Sequence, residues 1–181
     1  MRYFRLHQDL RRESGLTTHG VDDKMREAIR GNLSALDNLT VVKAHTFKGR
    51  YFSELLSRQV FMYKNSVKEV FDLYEPSLEY KDFCIIDVEN DSYVQYYSAP
   101  ILKHVPALSP KSERPFSSTS KLYLDKKAVV EMDGLDIFRL SDYDDLRQTG
   151  LNNCVVVSLA VAESLMRRKI SEILLTHLEL A

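Results

Sequence analysis

Hydrophobic and polar positions change period several times along the chain, and each change marks an element. Residues 2 to 6 alternate as Arg, Tyr, Phe, Arg and Leu, which reads as a short strand. The charges flanking the aromatic pair place it at a sheet edge. Asp22 and Asp23 can cap a helix reaching about Leu36, with Met25, Ile29 and Leu33 at four-residue steps, although Gly31 weakens it by about 1 kcal/mol. Residues 40 to 47 return to a strand pattern.

Two later segments share one layout. In the first, a strand over Val60–Tyr63 leads into Ser66-x-x-Glu69, a capping-box spacing, and then into a helix ending near Tyr74. Val67, Val70, Phe71 and Tyr74 form its apolar face, Pro76 stops it, and a strand over Phe83–Val88 follows. In the second, the strand Cys154–Val157 leads to Ser158 as helix N-cap. Val161, Ala162 and Leu165 face inward, and Arg167, Arg168 and Lys169 complement the helix dipole at its end. The closing strand spans Ile173–Leu178. Val67 and Glu69 fall opposite Val161 and Glu163, which points to an internal duplication. The competing explanation is chance, since any short amphipathic helix after a strand gives this pattern.

Between the two units lie a tyrosine-rich strand, Tyr93–Tyr97, and a polar stretch, Ser109–Ser120, expected as a long surface loop. Further strands are expected at Leu122–Leu124 and Asp136–Leu140, with an acidic turn after the second. The pattern predicts an α+β fold, with mixed or antiparallel sheets, a few short helices and the two strand-helix-strand units as candidate repeats.

Composition narrows the class. A length of 181 residues suits one domain, and 44% hydrophobic with 28% charged residues suits an ordinary folded core. With 25 basic and 26 acidic residues the net charge is -1, so no global field draws in nucleic acid or an anionic membrane. No apolar run is long enough to span a bilayer, and the first residues lack a signal-peptide core. Cys84 and Cys154 each sit in an apolar run, as expected of buried, reduced thiols in the cytoplasm.

Candidate chemistry is sparse. His7, His19, His45, His104 and His177 are scattered, and no Gly-x-Ser-x-Gly elbow, phosphate-binding glycine loop, His-Glu-x-x-His helix or Cys-x-x-Cys pair is present. The sequence therefore gives no reason to expect an enzyme, a cofactor or a metal. Charge is unbalanced in one place: from Asp125 to Asp145 seven acids face three bases, a local net of -4. Asp142, Tyr143, Asp144 and Asp145 are the candidate partner-binding residues, because such a patch can steer a basic protein. The plainer alternative is a solvated turn. Tyr93, Tyr96 and Tyr97 offer a similar choice between interface and sheet packing.

Several stretches carry a family resemblance: Val67-Lys-Glu-Val-Phe-Asp-Leu-Tyr-Glu-Pro-Ser-Leu-Glu-Tyr-Lys81, Leu122-Tyr-Leu-Asp125, Asp136-Ile-Phe-Arg-Leu140 and Val155-Val-Val-Ser158 with the helix and strand after it. Together they resemble bacterial immunity protein family 11, found beside toxins of polymorphic secretion systems. The likeness runs from about Phe52 onward, and Arg2–Leu6 suits that family's first strand. The chain has no Trp, where relatives often carry one in the strand assigned to Tyr93–Tyr97. The resemblance implies a cytoplasmic, non-enzymatic protein that binds and neutralises a cognate toxin, and it brings no fixed contact residues. Two other readings compete: an adaptor or regulatory binding module without a toxin, and a small hydrolase whose histidines meet only in the fold.

Overall fold

The computed structural model describes residues 2–9, 17–19, 23–29, 32–45, 52–57, 59–88, 94–113, 120–132, 134–141 and 154–181. In chain order the elements are β1 (Tyr3–Gln8), β2 (Thr17–His19), α1 (Asp23–Ile29), a 3-10 turn (Leu33–Ala35), β3 (Leu39–His45), β4 (Leu55–Leu56), β5 (Met62–Tyr63), α2 (Asn65–Tyr74), β6 (Tyr80–Asp87) and β7 (Val94–Pro100). The second half adds β8 (His104–Val105), β9 (Tyr123–Leu124), α3 (Lys126–Glu131), β10 (Ile137–Leu140), β11 (Val155–Ser158), α4 (Leu159–Arg167) and β12 (Ile173–Leu180). The fold is α+β, with two mixed sheets. Sheet I runs β2-β3-β6-β7-β5-β4 and sheet II runs β8-β10-β11-β1-β12-β9.

The two strand-helix-strand units have one topology, and the likeness extends past them. In sheet I, β5 and β6 flank an antiparallel β7, and α2 crosses between them; in sheet II, β11 and β12 flank an antiparallel β1, and α4 crosses. Outside these, β4 and β10 add on antiparallel, and β3 and β9 add on parallel. Individual bonds repeat as well. The Lys64 amide donates to the Glu54 carbonyl at 3.0 Å and the Ser158 amide to the Asp136 carbonyl at 2.8 Å. The Tyr97 hydroxyl donates to the Ser53 carbonyl at 2.6 Å, and the Tyr3 hydroxyl to the Leu135 carbonyl at 3.2 Å. Lys64 and Ser158 each precede the first helical residue, so Val67 matches Val161 and Glu69 matches Glu163. The third strand of the repeat comes directly after its unit in one half, as β7, and from far ahead of it in the other, as β1.

A common core joins the halves. Val67, Val70 and Phe71 of α2 pack with Val161, Ala162 and Leu165 of α4, together with Leu6, Leu55, Tyr63, Val155 and Val157. Each such side chain contributes roughly 1.5–3 kcal/mol by leaving water. Polar bonds fix the crossing of the helices: the Tyr74 hydroxyl reaches the Ser164 Oγ at 2.7 Å and the Ala160 carbonyl at 3.0 Å, and Arg168 meets Glu69 at 2.7 Å. A second cluster lies between α1 and sheet I, and a third lies beside sheet II, where Val129 of α3 contributes. Among the described residues no helix is long and apolar enough to cross a membrane.

Four expectations need correction. β1 lies inside sheet II, paired with β11 and β12, and Arg5 is buried there, so its charges do not mark an edge. Ser66 is not a helix cap, because Lys64 is the extended residue before α2 and makes no side-chain cap; the Ser66 hydroxyl donates to the Glu54 carboxylate instead, and the Asn65 side-chain Nδ2 donates to the Glu69 carboxylate at 2.9 Å. The helix expected through Leu36 is α1 followed by a 3-10 turn. The polar stretch is partly built in, since Ser109 and Ser112 are buried and bonded to Tyr123. Ser158 does cap α4, accepting from the Val161 amide at 3.4 Å.

Candidate interaction surface

Alternation along three neighbouring strands gives sheet I two different faces. One presents Val42, Ala44, Phe83, Ile85, Tyr97 and Ala99 to the α1 cluster. The other presents Leu39, Val41 and Lys43 of β3, Asp82, Cys84 and Ile86 of β6, and Val94, Tyr96 and Ser98 of β7. Register aligns Val41, Cys84 and Tyr96 in one row across the strands. Val41 is 59% exposed, Tyr96 69% and Leu39, one step along β3 on the same face, 54%. Two β-branched or aliphatic side chains and an aromatic ring thus stay in water on a flat, hydrogen-bonded scaffold.

The helix on this face covers only its far end. Lys68 of α2 lies 4.2 Å from the centre of the Tyr80 ring, and the Tyr80 hydroxyl donates to Asp72 at 2.6 Å. Burial and that hydrogen bond hold the Tyr80 pKa far above the usual tyrosine value. Beside it Tyr63 is enclosed, its ring 4.8 Å from Phe71.

The equivalent positions of sheet II carry different chemistry. Ser98 pairs with Tyr63 and Asp82 as Phe4 pairs with Val157 and His177, so Cys84, Val41 and Tyr96 correspond to Glu179, Tyr123 and Arg2. There the Lys121 ammonium lies 5.1 Å from the Tyr123 ring centre and 3.8 Å from the Glu179 carboxylate. Residues 120–122 and 176–179 enclose a cleft of about 480 Å³ with Arg5 in its lining.

Asp142, Tyr143, Asp144 and Asp145 lie outside the described residues, as does Tyr93. The described start of the acidic run is structural: the Asp125 carboxylate caps α3, accepting from the amides of Lys127 at 2.8 Å and Ala128 at 3.0 Å. Cys154 is fully buried, and burial raises its thiol pKa against the pull of Arg5 and Arg139. Cys84 is half-buried in the open row, which the expectation of two enclosed thiols missed. Partial burial lowers the pKa of His7, with Arg5 adding to it, and partial covering of the ring does the same for His104, an exposed residue, with Arg139 adding. Among the described residues no three His, Cys, Asp or Glu side chains converge on a metal-sized site.

Sequence reasoning missed the apolar row because Val41-Val42 and Tyr96-Tyr97 put an apolar residue on both faces of their strands. Only the pairing partner shows which of each pair is enclosed. The chain matches no protein-family model and no curated protein sequence.

Proposed function

We propose that this chain is an immunity protein that binds a cognate bacterial toxin and neutralises it by direct contact. The observation that carries the binding half of this reading is the open row Val41-Cys84-Tyr96 with Leu39 beside it. Apolar and aromatic side chains held rigidly in water are what a protein interface covers, and tyrosine gives large contact area at low entropic cost. The pseudo-equivalent row in sheet II shows that the scaffold does not demand apolar residues there.

The toxin half rests on the residues that resemble immunity protein family 11, and on those alone. In this reading the acidic run containing Asp142, Tyr143, Asp144 and Asp145 supplies steering charge, and the apolar row supplies the contact that slows dissociation.

The test is surface plasmon resonance against the product of the toxin gene adjacent to this one, with Val41→Glu and Tyr96→Glu. Each change is expected to weaken binding at least tenfold, mainly through faster dissociation, while far-ultraviolet circular dichroism stays unchanged. Parental affinity in both variants removes this face from the interface. Absence of binding by the parent removes the toxin reading for that partner and favours an adaptor role.

A further inference from the structure

Arg139 of β10 is 2% exposed and is the largest fully enclosed side chain among the described residues. Among the described residues its Nε has no hydrogen-bond partner, and no carboxylate forms an ion pair with it. Enclosed guanidinium groups are normally matched by a carboxylate or phosphate in a two-pronged bond, since an unmatched buried charge is costly. Burial pulls the Arg139 pKa down to about 10, and among the described residues the only group favouring its charged form is the Cys154 thiol. At neutral pH the side chain is nevertheless a cation.

Its position gives it an approach. Arg139 pairs in parallel with His104 of β8, and its amide donates to the Lys103 carbonyl at 2.9 Å. β8 is a two-residue edge strand, so a single short strand separates the guanidinium from the end of sheet II. Lys103 and His104 are exposed at that end. In the other direction its row continues into apolar Val155 and Leu6.

We propose that Arg139 is the receptor for a single carboxylate group that binds at the β8 end of sheet II. A monoanion fits better than phosphate or sulfate, because one enclosed cation beside Val155 and Leu6 neutralises one negative charge and leaves a second unmatched. The planar fork of the guanidinium fits the two oxygens of a carboxylate. This inference is independent of the toxin reading.

The test is thermal unfolding of the full chain at pH 8, with sodium chloride replaced stepwise by sodium formate at constant ionic strength. The parent is expected to gain about 2–4 °C in Tm at about five times the formate Kd, and to go on rising with the logarithm of formate concentration beyond it. Arg139→Met is expected to lose that response and to match or exceed the parent's Tm in chloride. Arg139→Lys keeps the charge without the fork and is expected to respond weakly, and it serves in place of the methionine variant if that does not fold. A parallel titration with N-acetyl-aspartyl-methylamide separates two sources: response to formate alone assigns a small free carboxylate, and response to both assigns a carboxylate carried on a protein side chain. No gain in the parent beyond that in chloride, or an equal gain in the variants, overturns the proposal.

Discussion

The two sheets are built alike and finished differently. Sheet I turns Val41, Cys84 and Tyr96 outward, whereas the matching row of sheet II carries Tyr123 and Glu179 bridged by Lys121. Backbone pairing is the same across the five matching strands, with β2 and β8 extending opposite ends, so hydrogen bonding does not decide what the face carries. The difference teaches that strand order, register and the crossing helix make a frame, and that recognition is written into a few outward side chains on one copy of it.

The largest expected effect tests whether the shared core depends equally on both helices. Phe71→Ala should cost about 3–5 kcal/mol and Leu165→Ala about 2–5 kcal/mol in urea unfolding, because both side chains are fully enclosed. Phe71 also stacks with Phe61 at 6.5 Å and tilts against Tyr63, contacts without a counterpart around Leu165 among the described aromatic pairs, so its loss should exceed that of Leu165. Equal costs would show that aromatic packing adds nothing to the first half.

Next come the paired tyrosine hydroxyls. Tyr97→Phe should cost about 1–2 kcal/mol, since its 2.6 Å bond to the Ser53 carbonyl is buried; Tyr3→Phe should cost less, its bond to Leu135 being longer and partly wet. The reverse order would break the equivalence drawn between them. Ser158→Ala should cost about 1 kcal/mol through loss of the α4 cap, measurable by the same unfolding assay. Lys64 makes no such cap, so Lys64→Ala should not reproduce a capping loss.

The smallest effect is a pH dependence confined to sheet II. Burial, aided by Arg5 and by Arg139, sets the folded pKa of His7 and His104 below the ordinary 6.5. The unfolded chain therefore binds more protons, and stability holds above pH 6.5 and falls as pH drops below it. His7→Gln with His104→Gln should flatten that fall in unfolding midpoints taken between pH 7.5 and 5.5.

Much of the frame was legible because it rests on side-chain periodicity. The faces of α2 and α4, the cap at Ser158 and the pairing of Val67 with Val161 all follow from spacing alone. Two-residue strands such as β4 and β8 contain no period to read, and they form because long neighbours offer free backbone groups; β5 was legible only as part of the apolar run Val60–Tyr63. Arg5 misled for a different reason: charge inside a short strand ordinarily marks an edge, yet β1 lies within the sheet. α3 was hidden by its acids, although Asp125 is the residue that starts it. The apolar row depended on register, which is a property of three strands together.

β1 carries a consequence for biosynthesis. It leaves the ribosome before the other described strands, yet its partners are residues 155–158 and 173–178. At about 5–20 residues per second it waits about 10 to 30 s for them, while sheet I can close from a continuous stretch of chain. The earliest described strand thus waits longest for its first partner, and until then its Tyr3, Phe4 and Leu6 are open to chaperones or to a neighbouring nascent chain. A chain released early, after β7, would carry a finished sheet I and an orphan strand. Supplied separately, residues 101–181 should recruit that strand and restore sheet II by fragment complementation.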